Sequence, residues 1–190
     1  MRTRADLDRI PELTPEHVPF ITEAVRMLAA ELGPTPLIGF AGAPFTVASY
    51  LIEGRPSRTY GLTKAMMHGD PSLWRELLDR LADMAIASLL AQVDAGASAV
   101  QLFDSWAGAL TPRDYVDHVM PHSARVLAEA GTWGVPRTHF GVGTSNLLTL
   151  MGEAGADVVG VDWRTPLEKG IAAVGDRGVQ GNLDPTLVFA

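Results

Sequence analysis

An alternation constrains this chain more than any other feature: short apolar runs, bounded by glycine or proline, are separated by segments of helical periodicity. The runs are Pro36–Phe40, Ser98–Phe103, Val135–Gly141, Asp157–Val161 and Gly178–Asn182, each short enough for a buried strand. Before the first, Phe20, Ile21, Ala24, Val25, Leu28 and Leu32 stripe a helix over Phe20–Leu32. Thr14-Pro15-Glu16 supplies its opening: a cap, a first-turn proline and an acid. Thr46–Glu53 reads as a second helix. Asp70-Pro71 opens a long one through Ala95, with Leu73, Trp74, Leu77, Leu78, Leu81, Met84, Ala85 and Leu89 on one face. Helices over Thr111–Ala130, Asn146–Ala154 and Pro166–Val174 follow, and the last residues begin another. Pro121 predicts a kink or a division of its helix.

Two segments echo one another. Asp94-Ala-Gly-Ala-Ser-Ala-Val-Gln-Leu-Phe-Asp104 and Glu153-Ala-Gly-Ala-Asp-Val-Val-Gly-Val-Asp162 share a helix end, an Ala-Gly-Ala turn, an apolar strand and a closing aspartate. Strands apolar along their whole length, joined by helical crossovers, imply α/β architecture with a parallel sheet. A doubly wound sheet and a barrel both fit, and both place a site at the strands' C-terminal ends. A complete (β/α)8 barrel needs eight strands and ~250 residues. With about five consecutive βα units in 190 residues, the chain is one domain and, as a barrel, incomplete.

Composition narrows the function classes. Hydrophobic residues make up 47% of the chain and charged ones 19%, enough for a packed core. No cysteine is present, which excludes disulfides and thiolate metal sites within these residues. The formal charge of −7, without a basic patch, argues against a nucleic-acid partner. No apolar run approaches the ~18 residues of a membrane span, and MRTRADLDRIPEL lacks a signal-peptide core, so the expectation is a cytoplasmic protein.

The densest chemistry lies in Gly39-Phe-Ala-Gly-Ala-Pro-Phe-Thr-Val-Ala-Ser-Tyr50-Leu-Ile-Glu-Gly54. Its glycines let backbone approach a ligand, and Pro44 sets the turn into a helix. Tyr50 lies one turn beyond Thr46, so its hydroxyl can reach the mouth of a site. Without any comparison it reads equally as an ordinary half-buried aromatic.

This string resembles a signature of the uroporphyrinogen decarboxylases: G-F, two small residues, x-P, an aromatic, T, an aliphatic, x-x-Y-x-x, an acid or Ala, then G. Every position fits. The resemblance continues in Gln101-Leu-Phe-Asp-Ser-Trp-Ala-Gly108, Val159-Gly-Val-Asp-Trp163 and Gln180-Gly-Asn-Leu-Asp-Pro185, in family order and over essentially the whole chain. It implies a (β/α)8 TIM barrel, a homodimer when full length, of which these five strands are the third to seventh. It also implies removal of the carboxyl groups of four acetate side chains of uroporphyrinogen III, giving coproporphyrinogen III in haem synthesis. The resemblance further implies that no cofactor is required, the protonated pyrrole of the substrate taking the electrons.

The carry-over of residues is partial. Tyr50 matches the family's site tyrosine, Ser105 a hydroxyl residue after the next strand, and Phe40 an aromatic lining the pocket beneath the macrocycle. A phenol holds its proton at neutral pH, so Tyr50 and Ser105 are cast as hydrogen-bond donors to substrate carboxylates. Arg55, Arg58 and Arg113 are minor sources of positive charge for an octa-anionic substrate. The family's Arg-Gln-Ala-Gly-Arg run, the upstream Asp that holds the pyrrole NH groups, and the His near its C-terminus do not occur here. The resemblance therefore assigns no catalytic residue to these 190 residues, and the chain alone is expected to be inactive and prone to aggregation.

The other polar residues have structural readings. Asp104, Asp162 and Asp184 read as caps or arginine partners more readily than as substrate contacts, and Trp106 and Trp163 as packing residues. His118 and His122, four apart, read as a solvated helix face, with no carboxylate or cysteine taken to complete a metal set; no metal is expected. Gly141-Val-Gly143 lacks the third glycine of a dinucleotide loop. The rival readings are a non-catalytic porphyrinogen-binding or scaffold fragment, and a cobalamin-dependent methyltransferase relative. The latter binds zinc through a His-x-Cys pair, where this chain has His139-Phe140-Gly141.

Overall fold

The computed structural model describes residues 1–55 and 57–189, the side chain of Pro15 apart. The polar N-terminus holds a short helix absent from the sequence reading, α1 (Arg4–Leu7). There the Thr3 hydroxyl accepts from the Asp6 N–H while the Asp6 carboxylate accepts from the Thr3 N–H. Helix α2 (Pro19–Leu32) begins later than Thr14-Pro15-Glu16 implied. Pro19 has no N–H to donate back to Pro15, so a helix cannot run through it unbroken, and Pro15–His17 forms a single 3-10 turn instead.

Strand β1 (Ile38–Gly42) lies two residues beyond the expected Pro36–Phe40, because Ala41 and Gly42 continue the pairing to Leu102 and Phe103. Helix α3 (Pro44–Glu53) has Pro44 at its first turn, and Gly54, at φ 68°, ends it. Helix α4 (Gly61–Gly69) was not foreseen: it starts on a glycine and is only nine residues long. The Glu53 carboxylate caps it from outside, accepting from the Thr63 N–H and hydroxyl, both at 3.0 Å. In α5 (Pro71–Asp94) the Asp70 carboxylate accepts from the Leu73 N–H at 3.0 Å, the expected cap.

Strand β2 (Ala99–Phe103) leads to α6 (Pro112–His118) and α7 (Met120–Ala130). Pro121 divides these two as expected: it cannot donate to Asp117, and the chain breaks at Val119. The remainder runs β3 (Arg137–Phe140), α8 (Leu148–Glu153), β4 (Val158–Gly160), α9 (Leu167–Val174) and β5 (Gly178–Gln180). Pro185–Phe189 is a 3-10 turn rather than the start of a helix, and Ala190 lies outside the described residues.

The five strands form one parallel sheet in the order β1-β2-β3-β4-β5. That order bears out the barrel implied by the resemblance and excludes the doubly wound sheet that the alternation alone left open. A doubly wound sheet reverses its direction of growth part-way, whereas here every crossover adds its strand on the same side, as in a barrel. The core lies between one face of the sheet and the helices, where Trp74, Leu77, Leu78, Tyr115, Leu127 and Met151 are fully buried beside Val100 and Leu102. The other face is the concave side of a partial TIM barrel. It carries Phe40, 62% exposed, and the exposed Ile38. No helix among the described residues is long and apolar enough to cross a membrane.

Candidate active site at the C-terminal ends of the strands

Side chains alternate along each strand, so residues in register across the sheet share a face. Val100 and Leu102 point to the helices; Gln101 and Phe103 therefore face the concave side, with their partners Phe40, Thr138 and Phe140. Three phenylalanines from three strands make a continuous apolar arc. Phe40 meets Phe103 edge-on at 5.7 Å, and Phe103 meets Phe140 edge-on at 5.7 Å. Gly160, beside Phe140 in register, leaves room for it: a Cβ there would come within 2.5 Å of the ring.

Further aromatic and hydroxyl groups lie on the segments that follow the C-terminal ends of β1 and β2. Tyr50, on α3, is 55% exposed and stacks on Trp106 with ring centroids 3.9 Å apart; Tyr60 lies on Trp106 at 5.0 Å. Burial, with Tyr50 and Glu53 nearby, raises the Tyr60 phenol above its ordinary range, so Tyr60 keeps its proton. Tyr60 adopts φ 51°, a left-handed conformation uncommon for a side chain of this size. Its place in a loop without periodicity hid it from the sequence reading. Ser105 sits half-buried between Asp104 and Trp106. Phe40, Tyr50 and Ser105 thus lie on the concave strand face or on the segments that leave the strands' C-terminal ends.

Buried bonds hold these segments together. Asp104 is fully buried and accepts from the Thr46 hydroxyl at 3.0 Å, and Thr46 in turn accepts from the Trp106 N–H at 3.3 Å. The carboxylate thereby ties the first turn of α3, which carries Tyr50, to the turn that carries Ser105 and Trp106. It neither pairs with an arginine nor faces the concave side. Its second oxygen lies 3.8 Å from Nε2 of the fully buried His139, too far for a hydrogen bond, and the Tyr115 hydroxyl nearby is also unpaired among the described residues. Burial and Asp104 push the Tyr115 phenol well up. The loop after β2 fits against the loop after β3 because Gly108 has no side chain; a Cβ would sit 2.3 Å from the Val142 carbonyl oxygen.

Beyond β3, β4 and β5 a cavity of about 390 Å³ is lined by Phe140, Asp162, Trp163, Arg164 and Asn182, among others. Asp162 accepts from the Gly143 N–H at 2.7 Å and from Arg164 at 2.8 Å, the capping and arginine-pairing role expected for it. The Gly143 amide therefore faces a carboxylate rather than a phosphate. Asp184 accepts from the Thr186 N–H and hydroxyl, again as a cap. Trp163 departs from its packing role: it is 44% exposed, with the Arg164 guanidinium 4.6 Å from the ring. Trp106 does pack, between the two tyrosines. A larger cavity of about 610 Å³ lies against the outer side of α5 and includes no strand residue.

Of the arginines, Arg113 pairs with Asp117 on the outer surface of α6, and Arg55 and Arg58 are exposed in the loop after α3. His122 overturns the solvated-face reading: it is buried and bonded to Asp79 at 2.9 Å. His139, where the methyltransferase reading would place a zinc ligand, is buried on the helical side, its Nδ1 3.4 Å from the Met151 carbonyl oxygen.

A family model described as uroporphyrinogen decarboxylase (URO-D) matches residues 1–190. The chain belongs to the uroporphyrinogen decarboxylase family. Three relatives named uroporphyrinogen decarboxylase show how near it lies. One from a Nocardioides species is 74% identical over 190 residues, which is 100% of this chain and 55% of the relative. One from Salinispora tropica is 65% identical over 189 residues, 99% of this chain and 51% of the relative. One from Streptomyces griseus is 64% identical over 191 residues, 100% of this chain and 52% of the relative. The chain thus spans about half the length of the curated relatives it matches. The family's barrel accounts for the open concave face: five strands in sequential order make an arc, not a closed cylinder.

Proposed function

We propose that the chain supplies the middle of a uroporphyrinogen decarboxylase, a carboxy-lyase converting uroporphyrinogen III to coproporphyrinogen III without a cofactor. The observation that carries this reading is the arc Phe40–Phe103–Phe140 on the concave face, with Tyr50 and Ser105 on the segments that leave the C-terminal ends of the first two strands. A tetrapyrrole with acidic side chains needs both: an apolar floor for the macrocycle and hydrogen-bond donors for its periphery. In the reaction each acetate side chain loses CO2. The electron pair of the broken C–C bond passes into the protonated pyrrole and returns to the side-chain carbon as it takes a proton. Phe40 lines the floor, while Tyr50 and Ser105 hold carboxylates. Groups that stabilise the cationic ring belong to the part of the family's barrel not included in this chain. The family resemblance supports a homodimeric, cytoplasmic protein.

A chimera tests this reading. The corresponding residues of the Nocardioides relative, 74% identical, are replaced by this chain. The chimera is expected to decarboxylate uroporphyrinogen, and the 190-residue chain alone is not. A folded chimera that binds uroporphyrinogen without turnover would favour a binding role; one that does neither would overturn the proposal.

A further inference from the structure

On the outer ring of helices, away from the aromatic arc, three side chains converge that lie apart in sequence. His68 stands in the last turn of α4, and Asp114 and His118 lie one turn apart on α6. One donor atom from each falls within 4.8 Å of the other two. Nε2 of His68 is 3.6 Å from Oδ1 of Asp114, and the two imidazoles meet edge-on at 5.4 Å. We propose that His68, Asp114 and His118 bind a divalent transition-metal ion of the zinc, cobalt or nickel type.

The chemistry of the donors selects that class. Two imidazoles and one carboxylate suit borderline ions, whereas magnesium and calcium favour all-oxygen shells. Metal–nitrogen and metal–oxygen distances of ~2.0–2.2 Å place neighbouring donors about 3–3.5 Å apart around the ion. The His68–Asp114 pair, at 3.6 Å, is already near that spacing, and the widest separation, no more than 4.8 Å, needs to close by at most about 1.3–1.8 Å, which rotation of the exposed His68 side chain can supply.

The surroundings already hold the other two ligands. The Thr111 hydroxyl donates to Oδ2 of Asp114 at 2.9 Å, which leaves Oδ1 turned towards His68. The Trp74 indole N–H donates to the His118 carbonyl at 2.9 Å and anchors the end of α6 to α5. The Lys64 ammonium donates to the Ala109 carbonyl at 2.6 Å, fixing α4 against the chain that leads into α6. An ion here would clasp the helices of the β1 unit to those of the β2 unit. Three protein ligands leave at least one position open to water or an added ligand.

The test is equilibrium dialysis of the chimera against micromolar zinc, with metal analysis, and titration with Co2+ followed by its visible absorption. One equivalent per chain is expected, with cobalt bands of a site containing nitrogen donors. His68→Ala and His118→Ala should each weaken binding at least ~10-fold. His17→Ala, an exposed histidine outside the cluster, should leave it unchanged. Circular dichroism confirms that each variant is folded; His68 is on the surface, so its variant decides the matter even if His118→Ala unfolds. Stoichiometry well below one, or equal binding by His68→Ala, would overturn the proposal and leave His68 and Asp114 as neighbours on the surface only.

Discussion

Asp104 shows how one buried group can position a site that it does not touch. A carboxylate is costly to bury, and one oxygen of this one is compensated by the Thr46 hydroxyl, itself bonded to the Trp106 amide. Asp104→Ala should cost about 1–3 kcal/mol, read as a lower denaturant midpoint in the chimera. It should also broaden the near-ultraviolet signal of the Tyr50–Trp106 stack. Gly108→Ala adds a methyl 2.3 Å from the Val142 carbonyl oxygen and should destabilise by a further ~1–3 kcal/mol in the same assay. Tyr50→Phe removes only a hydroxyl from an exposed ring, so folding should be unchanged. If that hydroxyl donates to a substrate carboxylate, kcat/KM of the chimera falls by the ~1.5–3 kcal/mol of a charge-assisted bond, roughly 10- to 150-fold. Unchanged kinetics would return Tyr50 to a packing role.

Between elements, two contacts make separate predictions. His122 joins α7 to α5 through Asp79. Burial, reinforced by the charges of Arg75 and Arg125, lowers its pKa below the ordinary 6.5 despite the opposing pull of Asp79. The folded state then binds the proton less readily than the unfolded one. Its contribution to stability is complete above 6.5 and is lost as pH falls towards the depressed folded value. His122→Gln, which can still bond to Asp79, should flatten this acid-side dependence of the midpoint. At the sheet margin, the Gln92 amide on α5 accepts from the Phe40 N–H and donates to the Phe40 carbonyl, both at 2.9 Å. Leu37 and Ala43 bond to β2, so Phe40, alternate to them, turns its peptide groups to the free edge. Gln92→Leu removes that cover, and faster self-association by light scattering is expected.

At the scale of the molecule the open arc dominates. Phe20, Met27 and Leu28 on α2, Ile38 and Phe40 on the edge strand, and Leu183 and Phe189 beyond β5 all expose large apolar surface at the two margins of the sheet. A closed barrel has no such margins. The 190-residue chain by itself should therefore run as assemblies larger than 20.3 kDa in size-exclusion chromatography, and the chimera as a discrete species. A monodisperse 20.3 kDa chain would show that the margins are tolerated without a covering partner.

Periodicity and local chemistry acting within a few residues were enough to place the strands, the long helix α5, the break at Pro121 and the aromatic-tyrosine signature on its strand–turn–helix. Helix α4 escaped because its cap, Glu53, comes from another element, and Tyr60 because no pattern marks a loop aromatic. The family signature already implied a partial barrel; periodicity alone could not separate it from a doubly wound sheet, since both share the same local alternation and differ in which edge receives each strand, and the strand order shows the barrel's arrangement. Tertiary structure alone buried Asp104, His122 and His139, and it brought His68 to Asp114 and His118. Those juxtapositions depend on how helices from different βα units pack, and no spacing along the chain encodes that packing directly.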